Sequence, residues 1–141
     1  MLSEEYRQRL ANEYRYAVTR MQQEGQPVRK LFYFSVFFGE AQRVLNFEWN
    51  RDIALIYTVT FHTYTQVNNA MQSPVLMQLP MDWTAVYDKL TLAASDLTAY
   101  LEKAKNNGRE ELCQILGRLA EISYVVSGNG IYLYEKGVIK L

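Results

Sequence analysis

Residues 31–38 read LFYFSVFF, a run in which seven of the eight side chains are apolar and five are aromatic. Charged residues flank the run at Arg29, Lys30, Glu40 and Arg43. A membrane-spanning helix needs about 20 predominantly apolar residues, so this run is too short to span a bilayer. The apolar pattern continues at spacings of three and four through Phe34, Phe37, Phe38, Ala41, Val44 and Leu45. This spacing favours a helix over a strand and predicts that the other helices pack around it.

Composition and charge indicate one folded domain. The chain has 141 residues, of which 49% are hydrophobic and 21% are charged, as in globular proteins. Fifteen basic and fifteen acidic residues cancel, so no net field attracts nucleic acid or an anionic membrane. No Lys or Arg occurs between Arg51 and Lys89. Cys113 is the only cysteine, and the N-terminus lacks the layout of a secretion signal, which predicts a cytoplasmic protein with no membrane segment.

Apolar periodicity between sparse Gly and Pro residues predicts a mainly α fold with five long helices. The predicted helices cover residues about 3–24, 28–46, 51–72, 81–105 and 108–126. Ser3 and Asn50 are the predicted N-caps of the first and third helices, and Asn107 with Glu110 begins the fifth. We expect a single-domain, antiparallel, bundle-like arrangement around the second helix.

The C-terminal residues predict a β-hairpin over 131–141. Two apolar segments, IYLY and VIKL, flank Glu135, Lys136 and Gly137, and glycine supplies the positive φ of a tight turn. The preceding Ser127-Gly128-Asn129-Gly130 sequence predicts the end of the fifth helix. Because a two-stranded ribbon is marginal alone, it is expected either to lie on the helices and cover one end of the bundle or to pair with another chain. The predicted interaction surface consists of Tyr124, Ile131, Tyr132, Leu133, Tyr134 and Ile139.

Single copies of histidine and cysteine limit the catalytic options. His62 and Cys113 are the only residues of their types, and no Gly-x-Ser-x-Gly or phosphate-binding glycine motif occurs. Both are therefore predicted to have structural roles. The sequence predicts no catalytic residue, no metal ligand and no cofactor.

Carboxylates on the second and third helices leave an enzymatic alternative open. Glu40 and Asp52 could converge with His62, together with Glu48, as the centre of a small metal-dependent or hydrolytic enzyme. The simpler interpretation is that Glu40 pairs with Arg43 and that Glu48 and Asp52 lie in a loop and at a helix N-terminus.

The outer face of the first helix raises nucleic-acid binding as a further alternative. Arg9, Tyr16 and Arg20 share this face, and arginine with exposed aromatic rings is suited to phosphates and stacked bases. Glu13 lies in the same stripe, and an Arg9–Glu13 ion pair weakens the local field. In length and helical character, and in these alone, the chain is similar to small accessory subunits of RNA-guided defence complexes and to helical coat proteins of filamentous archaeal viruses.

The favoured function is a non-enzymatic protein–protein interaction or assembly protein that associates with itself. The chain contains eleven tyrosines and two tryptophans, more than a small bundle needs for its core, and these residues suit surfaces that are half apolar and half wet. A homo-oligomer joined through a tyrosine-rich helix surface or the C-terminal ribbon is the prediction. A nucleic-acid-associated subunit and a small enzyme are the two alternatives.

Overall fold

The computed structural model describes residues 2–103 and 108–140. Over these residues the chain forms seven α-helices and no β-strand. In chain order they are α1 Glu4–Gln23, α2 Pro27–Leu45, α3 Arg51–Met71, α4 Pro74–Met77, α5 Trp83–Glu102, α6 Arg109–Val126 and α7 Ile131–Glu135. The predicted mainly α fold is confirmed, and the five long helices correspond to the five predicted ones.

Side-chain caps fix where several helices begin. The Ser3 hydroxyl accepts a hydrogen bond from the Tyr6 amide at 3.4 Å, and Asn50 Oδ1 accepts one from the Ile53 amide at 3.0 Å, which confirms both predicted caps. Asn107, the predicted start of α6, and positions 104 and 105, predicted for the fourth helix, lie outside the described residues. The N-cap of α6 is Gly108.

The five long helices form a closed ring in the order α1, α2, α3, α6 and α5, and α2 also contacts α5 across it. A ring of five helices cannot alternate in direction throughout, so one neighbouring pair is parallel. That pair is α3 and α6, whose first turns meet where Arg109 Nη2 lies 2.9 Å from Asp52 Oδ1. The core fills the ring and comes from all five helices, each of which contributes one apolar stripe.

The prediction that α2 lies at the centre of the bundle is wrong. Leu31, Phe34 and Phe37 are buried, but Phe32 is 65% exposed. Every long helix has its own apolar stripe, so none needs to be surrounded. Helix α2 is therefore one wall of the ring, and part of its aromatic run faces outwards.

The predicted C-terminal β-hairpin is also wrong. Residues Ile131–Glu135 form α7, which ends in a Schellman motif. The Val138 amide donates to the Leu133 carbonyl at 3.0 Å, and the Gly137 amide donates to the Tyr134 carbonyl at 3.1 Å, with a φ of 75° at Gly137. Glycine at positive φ serves a hairpin turn and a helix C-terminus equally well, which explains the error. Leu141, the last residue of the predicted hairpin, lies outside the described residues.

The segment after α6 is held at one end of the ring. Helix α6 ends as predicted, with Gly128 at a φ of 89°. A β-carbon at Gly128 would lie 3.1 Å from a methyl carbon of Leu76 in α4. The Asp82 amide donates to the Tyr134 hydroxyl at 3.4 Å. The C-terminal segment therefore packs against the connection between α3 and α5.

No helix among residues 2–103 and 108–140 is both long enough and apolar enough to cross a bilayer.

Candidate interaction surface

Four aromatic rings form a continuous cluster on the outer side of α2 and α3. The centroid of the Phe38 ring lies 5.1 Å from that of Phe61 and 5.1 Å from that of Tyr64. The Tyr57 ring stacks on Phe61 at 5.8 Å. These edge-to-face and stacked arrangements fix the rings relative to one another. Phe61 is nevertheless 44% exposed, so the cluster presents a preorganised apolar surface to solvent.

A groove continues this surface between α2 and α3. Its volume is about 340 Å³, and it is lined by Val28, Leu31, Phe32, Tyr64, Asn68, Met71 and Gln72. Every lining residue is uncharged. We call the groove and the adjoining ring cluster the aromatic face, which comprises the groove-lining residues together with Phe38, Tyr57 and Phe61.

The absence of charge extends well beyond the groove. Residues 53–81 contain no Asp, Glu, Lys or Arg, so α3 has no formally charged side chain after Asp52. The only histidine, His62, lies within this stretch and is exposed. Ordinary helix surfaces carry charged residues opposite the apolar stripe. The centres of protein–protein interfaces, in contrast, are depleted in charge and enriched in aromatic residues.

The helical period explains why the aromatic run reaches the surface. From the first to the last of eight consecutive residues the helix turns through about 700° at 3.6 residues per turn, so their side chains point to all sides of α2. The stripe that faces the core takes Leu31, Phe34 and Phe37. Phe32 and Phe38 must then lie on the outer or flanking sides. The run in the sequence was the signal for this surface, but only the position of α2 shows which rings are exposed.

The loop between α2 and α3 carries a second pair of exposed aromatic side chains, Phe47 and Trp49. The Phe47 ring lies 6.5 Å from the Tyr6 ring, beside a small cavity of about 130 Å³. Arg9, Glu40 and Arg43 also line this cavity, with Leu10 and Val44. The smaller volume and the charged rim make this site a weaker candidate for protein docking than the aromatic face.

The three predicted nucleic-acid residues, Arg9, Tyr16 and Arg20, are exposed on α1 as expected. The Arg20 guanidinium carbon lies 5.0 Å from the centroid of the Tyr33 ring, and the Tyr16 ring lies 6.5 Å from the same ring. The sequence interpretation missed Tyr33, because its contribution comes from α2. Arg9 lies nearer the N-terminus of α1, where it pairs with Glu5, and takes no part in this group.

The predicted ion pair between Arg9 and Glu13 is wrong. Arg9 pairs with Glu5 instead, with 3.3 Å between Arg9 Nη2 and Glu5 Oε1. On a helix both i−4 and i+4 neighbours are within reach of a long side chain. The spacing alone therefore could not decide between the two glutamates.

The six predicted C-terminal interaction residues lie on α6, on α7 and in the turn after it. Tyr124 and Tyr132 are exposed, and the Lys136 ammonium lies 5.4 Å from the Tyr132 ring centroid. Ile131, Leu133, Tyr134 and Ile139 are only partly exposed. Because this segment is helical, it has no strand edges with which a partner strand could pair. The predicted contact through strand pairing is therefore not possible for this segment, although Tyr124 and Tyr132 are exposed.

The structure does not bring the proposed enzymatic residues together. Glu40 pairs with Arg43 at 3.4 Å as predicted, and Asp52 pairs with Arg109 at 2.9 Å. Glu48 Oε1 accepts a hydrogen bond from the Ser3 amide at 2.7 Å. Within the part of the chain that the structure describes, no three His, Cys, Asp or Glu side chains are grouped to hold a metal ion.

The predicted structural roles of His62 and Cys113 find no support in their positions. Both side chains are exposed, His62 on α3 and Cys113 on α6. Helical periodicity placed Cys113 at the edge of an apolar stripe, but neither residue contributes to the core.

Comparisons of this chain with protein-family models, with curated proteins and with solved structures each found no match.

Proposed function

We propose that this chain is a non-enzymatic interaction or assembly protein that associates with itself through the aromatic face. The observation that carries the proposal is an exposed aromatic surface on α2 and α3, whose α3 side lies within a stretch of 29 residues, 53–81, that lacks formal charge. Large contiguous apolar patches on a protein surface commonly mark interaction sites.

The exposed rings supply the driving force. Removing a large apolar side chain from water contributes about 1.5–3 kcal/mol when it is complete, and Phe32 and Phe61 retain 65% and 44% of their accessible surface. Rings already fixed by their neighbours lose little conformational freedom on binding, which favours association. The groove beside them offers a partner side chain a concave apolar site.

Charge supports a second copy of the chain as the partner. Two identical surfaces bring identical charges together, and like charges opposite one another in an interface cost several kcal/mol. The aromatic face has no such charges along α3 after Asp52. The α3 side of this surface can therefore face its own copy without opposing like charges.

Light scattering coupled to size-exclusion chromatography tests the proposal over a range of protein concentrations. We expect the wild-type chain to form a dimer or larger assembly and Phe61→Glu to be monomeric. Leu92→Glu is the matched control, because Leu92 is 49% exposed on α5 and belongs neither to the groove nor to the ring cluster. This control should behave like the wild type. A wild-type chain that is monomeric at every concentration would contradict the proposal.

A nucleic-acid-associated subunit is the second candidate function. The group formed by Tyr16, Arg20 and Tyr33 supports it, since arginine and aromatic rings together grip phosphates and stack on bases. We expect Arg20→Glu to weaken binding of a single-stranded oligonucleotide, while Lys89→Glu on α5 leaves it unchanged. Such binding should also weaken as salt rises, because phosphate contacts release counterions. The absence of binding at low salt would exclude this candidate.

A further inference from the structure

The aromatic face contains both an exposed ring and a hollow that can receive one. Phe61 is 44% exposed, and the adjoining groove has a volume of about 340 Å³. An apolar cavity of about 150 Å³ is large enough to bind benzene. The groove therefore has room for a phenyl ring of Phe61 from another molecule.

The ring and the groove lie a fixed distance apart along α3. The groove-lining residues of α3 are centred near Asn68, seven residues after Phe61. At 1.5 Å per residue, the separation along the helix axis is about 10 Å. If a two-fold axis passes halfway between the ring and the groove, the ring of each copy meets the groove of the other.

Resting on the proposed self-association, we infer that two copies pair face to face about a two-fold axis that passes near Thr65. In this dimer the two α3 helices run antiparallel. The exposed part of each Phe61 ring packs over the groove of the other copy, against Tyr64 and Met71, while the ring stays stacked on Tyr57 of its own chain. The groove is incomplete without the second copy, because its own chain leaves Phe32 largely exposed at the rim.

The charge pattern agrees with a two-fold axis at this position. Each residue at such an axis faces its own copy, so a charged residue there would oppose an identical charge. Thr65 lies within the uncharged stretch 53–81, 13 residues after Asp52 and 17 residues before Asp82. Its hydroxyl donates to the Phe61 carbonyl at 2.9 Å, so the side chain already has a hydrogen-bond partner.

Disulfide cross-linking tests the position of the axis. The variant Thr65→Cys is prepared in a Cys113→Ser background, which removes the only native thiol. Glutathione disulfide then serves as the oxidant. A disulfide forms only when the two Cα atoms lie within about 7 Å. Because residue 65 meets its own copy at the axis, we expect Thr65→Cys to give a covalent dimer on a non-reducing gel.

Thr58→Cys in the same background is the matched control. Thr58 also lies on α3, and its hydroxyl donates to the Ala54 carbonyl at 2.9 Å, as Thr65 does to Phe61. Residue 58 lies seven residues from Thr65, so its two copies would be about 20 Å apart in the dimer. We expect about tenfold less cross-linked product from this variant, because its thiols cannot meet.

A second measurement applies if Thr65→Cys does not fold. A mixture of singly substituted Thr58→Cys and Gln72→Cys chains, both of which keep Phe61, should form a mixed covalent dimer, because these positions lie seven residues to either side of Thr65 and are opposite each other between copies. Absence of the mixed product would overturn the two-fold arrangement.

The outcomes separate this inference from the proposed function. A wild-type dimer in which Thr58→Cys links as readily as Thr65→Cys, or an assembly that grows beyond a dimer with concentration, overturns the two-fold arrangement and leaves self-association standing. A head-to-tail contact gives the growing assembly. A wild-type chain that is monomeric at every concentration overturns both.

Discussion

Gly130 is a position where the fold has no room for a β-carbon. An added β-carbon there would lie 2.6 Å from Cδ2 of Tyr124 and 3.1 Å from the Tyr124 carbonyl carbon. We expect Gly130→Ala to lower the free energy of unfolding by about 1–3 kcal/mol, because the side chain and backbone of Tyr124 must both shift. Gly117→Ala, on α6 with no atom within 4 Å of the new methyl group, should raise it by about 0.5–1 kcal/mol. Urea unfolding measures both, and equal effects would contradict this account of Gly130.

Two buried tyrosine hydroxyls differ in their hydrogen bonding. The Tyr14 hydroxyl donates to the Phe37 carbonyl at 2.5 Å and ties α1 to α2. Within the described part of the chain, the hydroxyl of Tyr87 is buried and has no hydrogen-bond partner. We expect Tyr14→Phe to lower the free energy of unfolding by about 1 kcal/mol and Tyr87→Phe to cause no loss. Thermal unfolding of the two variants compares them, and a greater loss for Tyr87→Phe would refute this difference.

At the scale of the helices, buried threonines show how α3 is joined to α6. The Thr63 hydroxyl donates to the Leu119 carbonyl of α6 at 3.1 Å, whereas the Thr60 hydroxyl donates to Ile56 within α3 at 2.6 Å. Both side chains are fully buried. The first bond links two helices, and the second only returns to the preceding turn of its own helix.

Threonine-to-valine substitutions separate these two bonds while nearly preserving side-chain volume. We expect Thr63→Val to lower the free energy of unfolding by about 1 kcal/mol, because it removes a bond between helices. Thr60→Val should lower the free energy of unfolding by less, because the Ile56 carbonyl keeps its backbone hydrogen bond within α3 when the hydroxyl is removed. Chemical denaturation provides the comparison, and a larger cost at Thr60 would show that the link between α3 and α6 contributes little.

Helix existence and position could be predicted because the apolar period and the caps are local. Ser3 and Asn50 cap α1 and α3 through amides only three residues away. The C-terminal segment could not be assigned in this way. Its apolar residues fit a short strand or one helical turn, and Gly137 at positive φ can end either. Contact with the α3–α5 connection accompanies the helical conformation.

For the whole molecule, tyrosine ionisation predicts loss of stability in alkali. Burial raises the pKa of Tyr14 well above its usual value, raises that of Tyr87 to about 12 and raises that of Tyr100. An unfolded tyrosine loses its proton near pH 10. Above that pH the native state holds more protons than the unfolded state, so the free energy of unfolding falls as pH rises.

The expected result is a stability that is unaffected by these tyrosines below about pH 10 and declines through about pH 12. Urea midpoints between pH 8 and pH 12 measure it. Tyr14→Phe should make the decline shallower, because one of the three groups no longer titrates. A decline of the same slope in this variant would show that other groups cause the alkaline loss.

The candidate surface shows where prediction from the sequence ended. The aromatic run in α2 and the gap in basic residues between Arg51 and Lys89 were both visible in the sequence. Interpreted separately, the run indicated a central helix, and the gap had no assigned meaning. Only the packing of α2 against α3 places Phe38, Phe61 and Tyr64 in one cluster. Side chains that are distant in sequence become neighbours through tertiary contacts, which local patterns do not encode.

The sequence by itself determined the helical class and the five long helices, because each helix needs only a stripe of apolar residues and local caps. Tertiary structure alone decided the order of the ring, the parallel pairing of α3 and α6, and the conformation after Gly130. Tertiary structure also decided which aromatic rings are exposed to solvent. All these features depend on how five apolar stripes share one core, and that competition is settled only when the helices pack together.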